Sequence, residues 1–146
     1  MNVIVDTSIW SLVLRRPKNT ILSPEEQSVT EELKELIKEL RVSIIGPIRQ
    51  EILSGISDKN QFDKLKNLLR SFQDLAIETD DYEKAAEFYN ICRKRGIQGS
   101  HIDFLICAIA ERYEMHIFTS DKDFLLYSKY LPVTLYRNYL NNSKSE

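Results

Sequence analysis

Apolar residues along the chain alternate between two spacings. Short apolar or β-branched runs at 3–5, 42–45, 75–77, 116–119 and 133–136 predict strands. Between them, apolar residues recur every third or fourth position, which predicts amphipathic helices. These helices span 7–14, 24–40, a stretch from Gly46 onward, 59–72, a stretch from Asp80 to the cations before Gly96, 100–114, and 121–130. Two ends carry explicit signals. Ser23-Pro24-Glu25-Glu26 combines an N-cap, a proline in the first turn and a capping-box glutamate. Arg93-Lys94-Arg95-Gly96 sets cations and then a glycine at a helix C-terminus.

The stripes also name a candidate core. Val29, Leu33, Leu36, Ile37 and Leu40 line the second helix, and Ile48, Ile52 and Ile56 the third. Phe62, Leu65, Leu68, Leu69 and Phe72 line the fourth, and Ala85, Phe88, Tyr89 and Cys92 the fifth. Ile102, Leu105, Ile106, Ile109 and Ala110 line the sixth. The first helix differs. Ile9, Leu12 and Val13 share one face, while Trp10 and Leu14 widen the apolar arc past half the circumference. Such a helix needs cover on two sides, from the chain itself or from a protein partner. Strands alternating with helices imply right-handed crossovers and a mainly parallel sheet covered on both faces, an α/β fold.

Composition narrows the picture only a little. A chain of 146 residues suits one domain over 1–140, followed by a polar tail over 141–146. Hydrophobic content of 42% with 29% charged residues is ordinary for a soluble protein. A net charge of -2 supplies no global basic field, so any nucleic acid must be held by local patches or metal ions. Cys92 and Cys107 lack metal or redox spacing and read as buried reduced thiols, suited to a cytoplasmic setting. No signal peptide and no apolar run near about 18 residues points to a membrane.

The candidate chemistry lies in four acids. Asp6 and Asp121 follow strands at the rim where open α/β sheets place ligands, and Glu51 lies on the helix that follows the second strand. Asp103, near the start of its own helix, can join them from one face. Each also has a structural explanation. Asp6 and Asp121 can cap helices, Asp103 stands three residues after Ser100 at capping-box spacing, and Glu51 can be a solvated surface residue. Together the four repel one another, with no matched set of basic partners in the sequence. His101 and His116 form no ligand pair. Oxygen ligands without His or Cys suit Mg²⁺ or Mn²⁺ rather than zinc, and the chemistry implied is metal-assisted phosphodiester hydrolysis. The chain has no Walker loop, no dinucleotide fingerprint, no nucleophile elbow and no H-E-x-x-H.

The ordered set Val5-Asp6-Thr7-Ser8, Glu51, Asp103 followed by Phe-Leu-Ile-Cys-Ala-Ile-Ala, and Thr119-Ser120-Asp121-Lys122-Asp123-Phe124 resembles the PIN domain. The size and the Asp-Thr-Ser opening are most similar to the VapC toxins of type II toxin–antitoxin pairs. The resemblance covers about residues 2–136. It implies a three-layer α/β/α sandwich and a Mg²⁺- or Mn²⁺-dependent endoribonuclease that leaves a 5′-phosphate and a 3′-hydroxyl. The family's acids carry over to Asp6, Glu51, Asp103 and Asp121, both as metal ligands and as the catalytic set. Glu51 sits in no tight motif. Thr7, Ser8 and Thr119 match hydroxyls that orient ligands and water. Asp123 matches a further acid, read first as a helix cap because Ser120 lies three residues before it. Arg15, Arg16, Lys18, Arg93, Arg95 and Lys122 are the nominated RNA contacts. A cognate antitoxin and a homodimer are the implied protein partners.

Other readings stand beside this one. A housekeeping PIN nuclease would cut RNA without an antitoxin, and a non-cleaving PIN scaffold would only bind RNA or protein. A receiver or haloacid-dehalogenase-like phosphatase would end its first strand in adjacent acids or Asp-x-Asp, whereas Asp6 is followed by Thr7 and Ser8.

Overall fold

The computed structural model describes residues 1–17 and 19–136, so Lys18 and the 141–146 tail lie outside the described residues. The elements run β1 (Val3–Val5), α1 (Thr7–Leu14), α2 (Pro24–Lys38), β2 (Val42–Ser43) and α3 (Gly46–Leu53). They continue with α4 (Lys59–Leu69), α5 (Thr79–Arg93), α6 (His101–Arg112), β3 (His116–Phe118) and α7 (Asp123–Tyr130).

The sheet is parallel, in the order β2-β1-β3. Val3 pairs with Val42 and His116, Ile4 with Ser43 and Ile117, and Val5 with Phe118. Every side chain of β1 is fully buried. An unbroken apolar run is what a strand covered on both faces requires. The helices supply that cover in two groups: α1 packs with α2 and α3, while α5 packs with α6 and α7, and α6 lies against β3. The α/β expectation therefore holds. Phe104 through Ala110 are all buried, so α6 is enclosed rather than presenting the single stripe its spacing predicts.

Trp10 ties α1 to the sheet. Its indole N–H donates to the Val5 carbonyl at 3.1 Å, and its ring meets Phe72 edge-on with centroids 5.3 Å apart. Leu12, Val13 and Leu14 are partly buried against the same core. The apolar arc of α1 is thus packed against the chain's own core, fully at Ile9 and Trp10 and in part at Leu12, Val13 and Leu14.

Two predicted strands shorten to single bridges, Ile44 with Asp74 and Ile117 with Leu135. At the first edge, the Leu75 amide donates to the Ile44 carbonyl at 2.9 Å. The next carbonyl, that of Ala76, is taken by the Arg112 guanidinium at 2.8 Å and the Tyr113 hydroxyl at 3.0 Å. With side chains satisfying the backbone, the ladder stops after one bond. At the other edge, Ile117 donates to Thr134 at 3.0 Å, just beyond Pro132, which has no amide to contribute.

The capping box at Ser23 and Glu26 forms as the sequence predicts, and Gly96 ends its helix at φ 73°. The stops of α2 and α6 were not legible. Leu40 and Glu114 both take left-handed backbone, φ 58° and 55°. In each case the residue after it donates back into the helix, Arg41 to Leu36 at 2.9 Å and Met115 to Ala110 at 2.8 Å. One left-handed residue thus turns each helix almost directly into β2 or β3. Neither position carries the glycine that announces such a stop. Leu40, expected in the core stripe, is 87% exposed. Among the described residues, no helix is long and apolar enough to cross a membrane.

Relief of the left-handed strain outweighs the entropy that glycine adds to the unfolded chain. Leu40→Gly should therefore stabilise the protein by about 0.5–1 kcal/mol. Urea unfolding should show a higher midpoint at unchanged slope. A lower midpoint would mean the leucine side chain contributes packing that its exposure hides.

Candidate active site

The central strand ends at Asp6, whose amide still donates to the Phe118 carbonyl at 2.9 Å. The ladder therefore carries Asp6 to the carboxyl end of the sheet beside the segment that leaves β3. Its carboxylate is buried, 6% exposed, and occupies the N-cap position of α1 without making a side-chain capping bond. The partners are hydroxyls instead. Ser8 Oγ and Thr119 Oγ1 each donate to Asp6 Oδ2 at 2.8 Å. Each hydroxyl in turn accepts a backbone amide, Ser8 from Ser120 at 3.1 Å and Thr119 from Asp121 at 3.0 Å. This clasp joins the start of α1 to the β3–α7 turn and orients the acid with protons rather than with a cation.

Burial pushes the Asp6 carboxyl above its ordinary value of 3.8, and the hydroxyls of Thr119 and Ser8 and the nearby amides of Thr7 and Ser8 only partly oppose this. Asp103 enters from the first turn of α6, where the Ser100 hydroxyl accepts its amide at 3.1 Å. Its Oδ2 accepts a hydrogen bond from Tyr127 Oη at 2.8 Å. Burial raises the Asp103 carboxyl as well, the Tyr127 hydrogen bond opposes it, and the negative fields of Asp6 and Asp121 raise it further. Asp6 and Asp121 are thus close enough to Asp103 for their charges to bear on it. Glu51, on α3, joins through Thr7, whose hydroxyl donates to its Oε1 at 2.8 Å. Asp121 is half-buried and accepts the Asp123 amide on Oδ1 at 2.9 Å.

The structural explanations are therefore partly right. Asp121 does cap the turn into α7, and Ser100 caps α6 through the amide of Asp103. Asp123 is not the cap of its helix. The Ser120 amide is engaged by Ser8, the Asp123 amide goes to Asp121, and the Asp123 side chain is exposed. Cys92 and Cys107 are buried free thiols. His101 stacks on Tyr89, and His116 lies at the start of β3.

None of the four acids is in an ion pair among the described residues. No three of the described His, Cys, Asp and Glu side chains yet enclose a single ion position. The arrangement is a rim of hard oxygen donors rather than a closed cage. Its donor chemistry fits Mg²⁺ or Mn²⁺ and not a soft metal.

The nominated cations separate clearly. Arg15 lines a cleft with Thr7, Gln50, Glu51, Ser54 and Ile102. Arg16 is held in an ion pair with Glu26, away from that role. Arg95 lies over the Tyr130 ring, 4.9 Å from its centroid. Arg93 and Lys122 are exposed, Lys122 directly beside Asp121, and Lys18 falls outside the described residues.

Two further residues at the site, Tyr127 and Gly99, were not among the residues the sequence nominated. Tyr127 sits in the apolar stripe of α7, where its hydroxyl is indistinguishable from core filling. Gly99 belongs to the Gly96–Gly99 segment before Asp103, where the PIN resemblance implies a loop near the site. For Tyr127, a tyrosine in place of phenylalanine at a fully buried helix position was the one available cue.

The PIN domain family model matches residues 3–130. The VapC ribonuclease Mb1587 of Mycobacterium bovis is 30% identical over 124 residues, covering 84% of this chain and 88% of that protein. Among solved structures, FitAcB from Neisseria gonorrhoeae superposes with a TM-score of 0.71 at 18% identity, over 94% of this chain and 98% of that one. VapBC2 from Rickettsia felis, bound to a DNA fragment from its promoter, gives 0.69 at 17% identity, over 93% and 98%. The structural likeness speaks for the fold, and the family match spans β1 through α7, including all four acids. The chain belongs to the PIN-domain family.

Proposed function

We propose that this chain is a divalent-metal-dependent endoribonuclease that acts as the toxin of an antitoxin-paired system. The observation that carries the reading is the rim itself: four acids, one of them buried, gathered where the strands end with no cation paired to any of them among the described residues. A divalent cation would offset the mutual repulsion of such a cluster. RNA as substrate is supported by the Mycobacterium bovis relative, which is named a ribonuclease. The antitoxin is supported by the Rickettsia felis structure, which holds a VapBC2 pair, rather than by the covered face of α1.

A bound Mg²⁺ or Mn²⁺ would supply Lewis-acid polarisation of the phosphodiester and an activated water at neutral pH. Asp6 and Asp103 offer the more buried carboxylates, each with one oxygen engaged by protein hydroxyls. Ser8 and Thr119 fix the Asp6 rotamer, and Thr7 holds Glu51 toward the cleft. Asp121 keeps one oxygen on the helix amide, leaving the other for the site. Arg15 stands at the cleft beside Glu51, placed to meet a phosphate of the RNA backbone.

Asp6→Asn keeps the shape and the acceptor for both hydroxyls but removes the charge. RNA cleavage in Mg²⁺ should fall by more than about 100-fold, beyond the range for outer-shell partners. Wild-type cleavage should stop in EDTA. Equal cleavage by variant and wild type, or activity surviving EDTA, sinks the metal reading.

The same substitution has a pH signature without metal. Because the folded-state value of Asp6 is raised, its stabilising contribution is complete below 3.8 and is lost as pH rises through the folded value. Metal-free Asp6→Asn should therefore melt above wild type at neutral pH, with the difference closing as pH falls below the ordinary carboxylate range. Added Mg²⁺ should raise the melting temperature of wild type more than that of the variant. Thermal melts across pH read both effects.

Arg15 and Arg16 test the RNA surface. In an Asp6→Asn background, Arg15→Ala should weaken RNA binding and lessen the slope of log affinity against log salt by about 0.7, the loss of one single-strand phosphate contact. Arg16→Ala should leave that slope unchanged. Equal slopes for both variants and their parent would remove Arg15 from the interface.

A further inference from the structure

We infer that Tyr127 is a positioning residue for Asp103, and that residue 99 is glycine so that the tyrosine hydroxyl can reach that carboxylate. The inference rests on reading Asp103 as a metal ligand and adds a residue to that site.

Tyr127 comes from α7, 24 residues after Asp103, and its side chain is fully buried. Its ring is held by Phe104 (centroids 4.9 Å apart, tilted 49°) and by Phe124 (5.1 Å, edge-on at 73°). With the ring so held, the hydroxyl donates to Asp103 Oδ2 at 2.8 Å. A phenylalanine would fill the same apolar space, so packing alone does not ask for the oxygen. The Ser100 hydroxyl already receives the Asp103 backbone amide. Ser100 thus fixes where the helix begins, while Tyr127 fixes how the carboxylate is turned. Asp103 Oδ1 has no protein hydrogen bond among the described residues and stays free to ligate.

Gly99 supplies an independent observation. A Cβ there would stand 2.3 Å from Tyr127 Oη, 2.8 Å from its Cζ and 2.9 Å from Phe104 Cε2. Gly96, three residues earlier, has the left-handed backbone that favours glycine; Gly99 does not. What glycine provides at 99 is room, filled by the hydroxyl end of the Tyr127 ring, which makes the shortest approach, and by the edge of Phe104. Partners that orient a metal ligand in this way set affinity and rate through geometry.

The test uses the full chain and Mn²⁺ alone as probe, titrated calorimetrically, alongside cleavage kinetics on RNA. Tyr127→Phe should keep its melting temperature near that of wild type, bind Mn²⁺ about 10-fold more weakly, and lose kcat with KM for RNA unchanged. Gly99→Ala keeps the tyrosine but displaces its hydroxyl, and should shift Mn²⁺ affinity and kcat in the same direction. It serves as the second variant should Tyr127→Phe fail to fold. Wild-type Mn²⁺ affinity and kcat in Tyr127→Phe, or a loss of melting temperature alone, overturns the inference while leaving the metal site standing. Absence of Mn²⁺ binding in wild type overturns both.

Discussion

A carboxylate buried at the end of the central strand with no cation beside it is the constraint around which this molecule is arranged. Asp6 stays there because Ser8 and Thr119 each place a proton on the same oxygen, and because each of those hydroxyls is itself fixed by an amide of the β3–α7 turn. Hydrogen bonds of this kind orient a charge but only partly replace the water it has lost. The upward shifts of Asp6 and Asp103 express that shortfall. Burial is the larger influence on both carboxyls, and the hydroxyls oppose it only in part.

The fold supplies the rigidity this requires. β1 is buried on both sides and paired with β2 and β3, which fixes the strand that leads into Asp6. α6 is enclosed from Phe104 through Ala110, which fixes the helix that carries Asp103. The edges of the sheet are looser in construction. There the backbone is satisfied one bond at a time, with Arg112 and Tyr113 standing in for a strand at Ala76. Arg112 also grips the buried carboxylate of Asp81 through two hydrogen bonds, binding α5 to the same edge. Precision is concentrated at the centre, where the acids are.

Much of this was legible residue by residue. The apolar run of β1, the capping box at Ser23 and the glycine stop at 96 are local signals, and local physics satisfied them. The Asp-Thr-Ser opening announced its acid and one of the hydroxyls that holds it. The failures share a cause. Leu40 and Glu114 end helices in left-handed backbone because a strand must begin almost at once, a demand that comes from the sheet. The strands expected at 75–77 and 133–136 shrank because their carbonyls and amides met different partners from those a strand pattern assumes. Asp123 lost its capping role when Ser8, 112 residues away from Ser120, took the Ser120 amide.

The sequence by itself determined which residues could be strands, which could be helices, and which oxygen donors the protein owns, since periodicity and residue chemistry are properties of the chain. It also set Asp6 and Asp121 just past strand ends and Glu51 and Asp103 on helices. Tertiary structure alone decided which carboxylates are desolvated, which arginine stands free at the cleft, and that Tyr127 meets Asp103 across the space left by Gly99. Those outcomes depend on contacts between residues distant in sequence. Hydrogen bonds and burial at such contacts are set by how the layers pack, and no spacing along the chain encodes them.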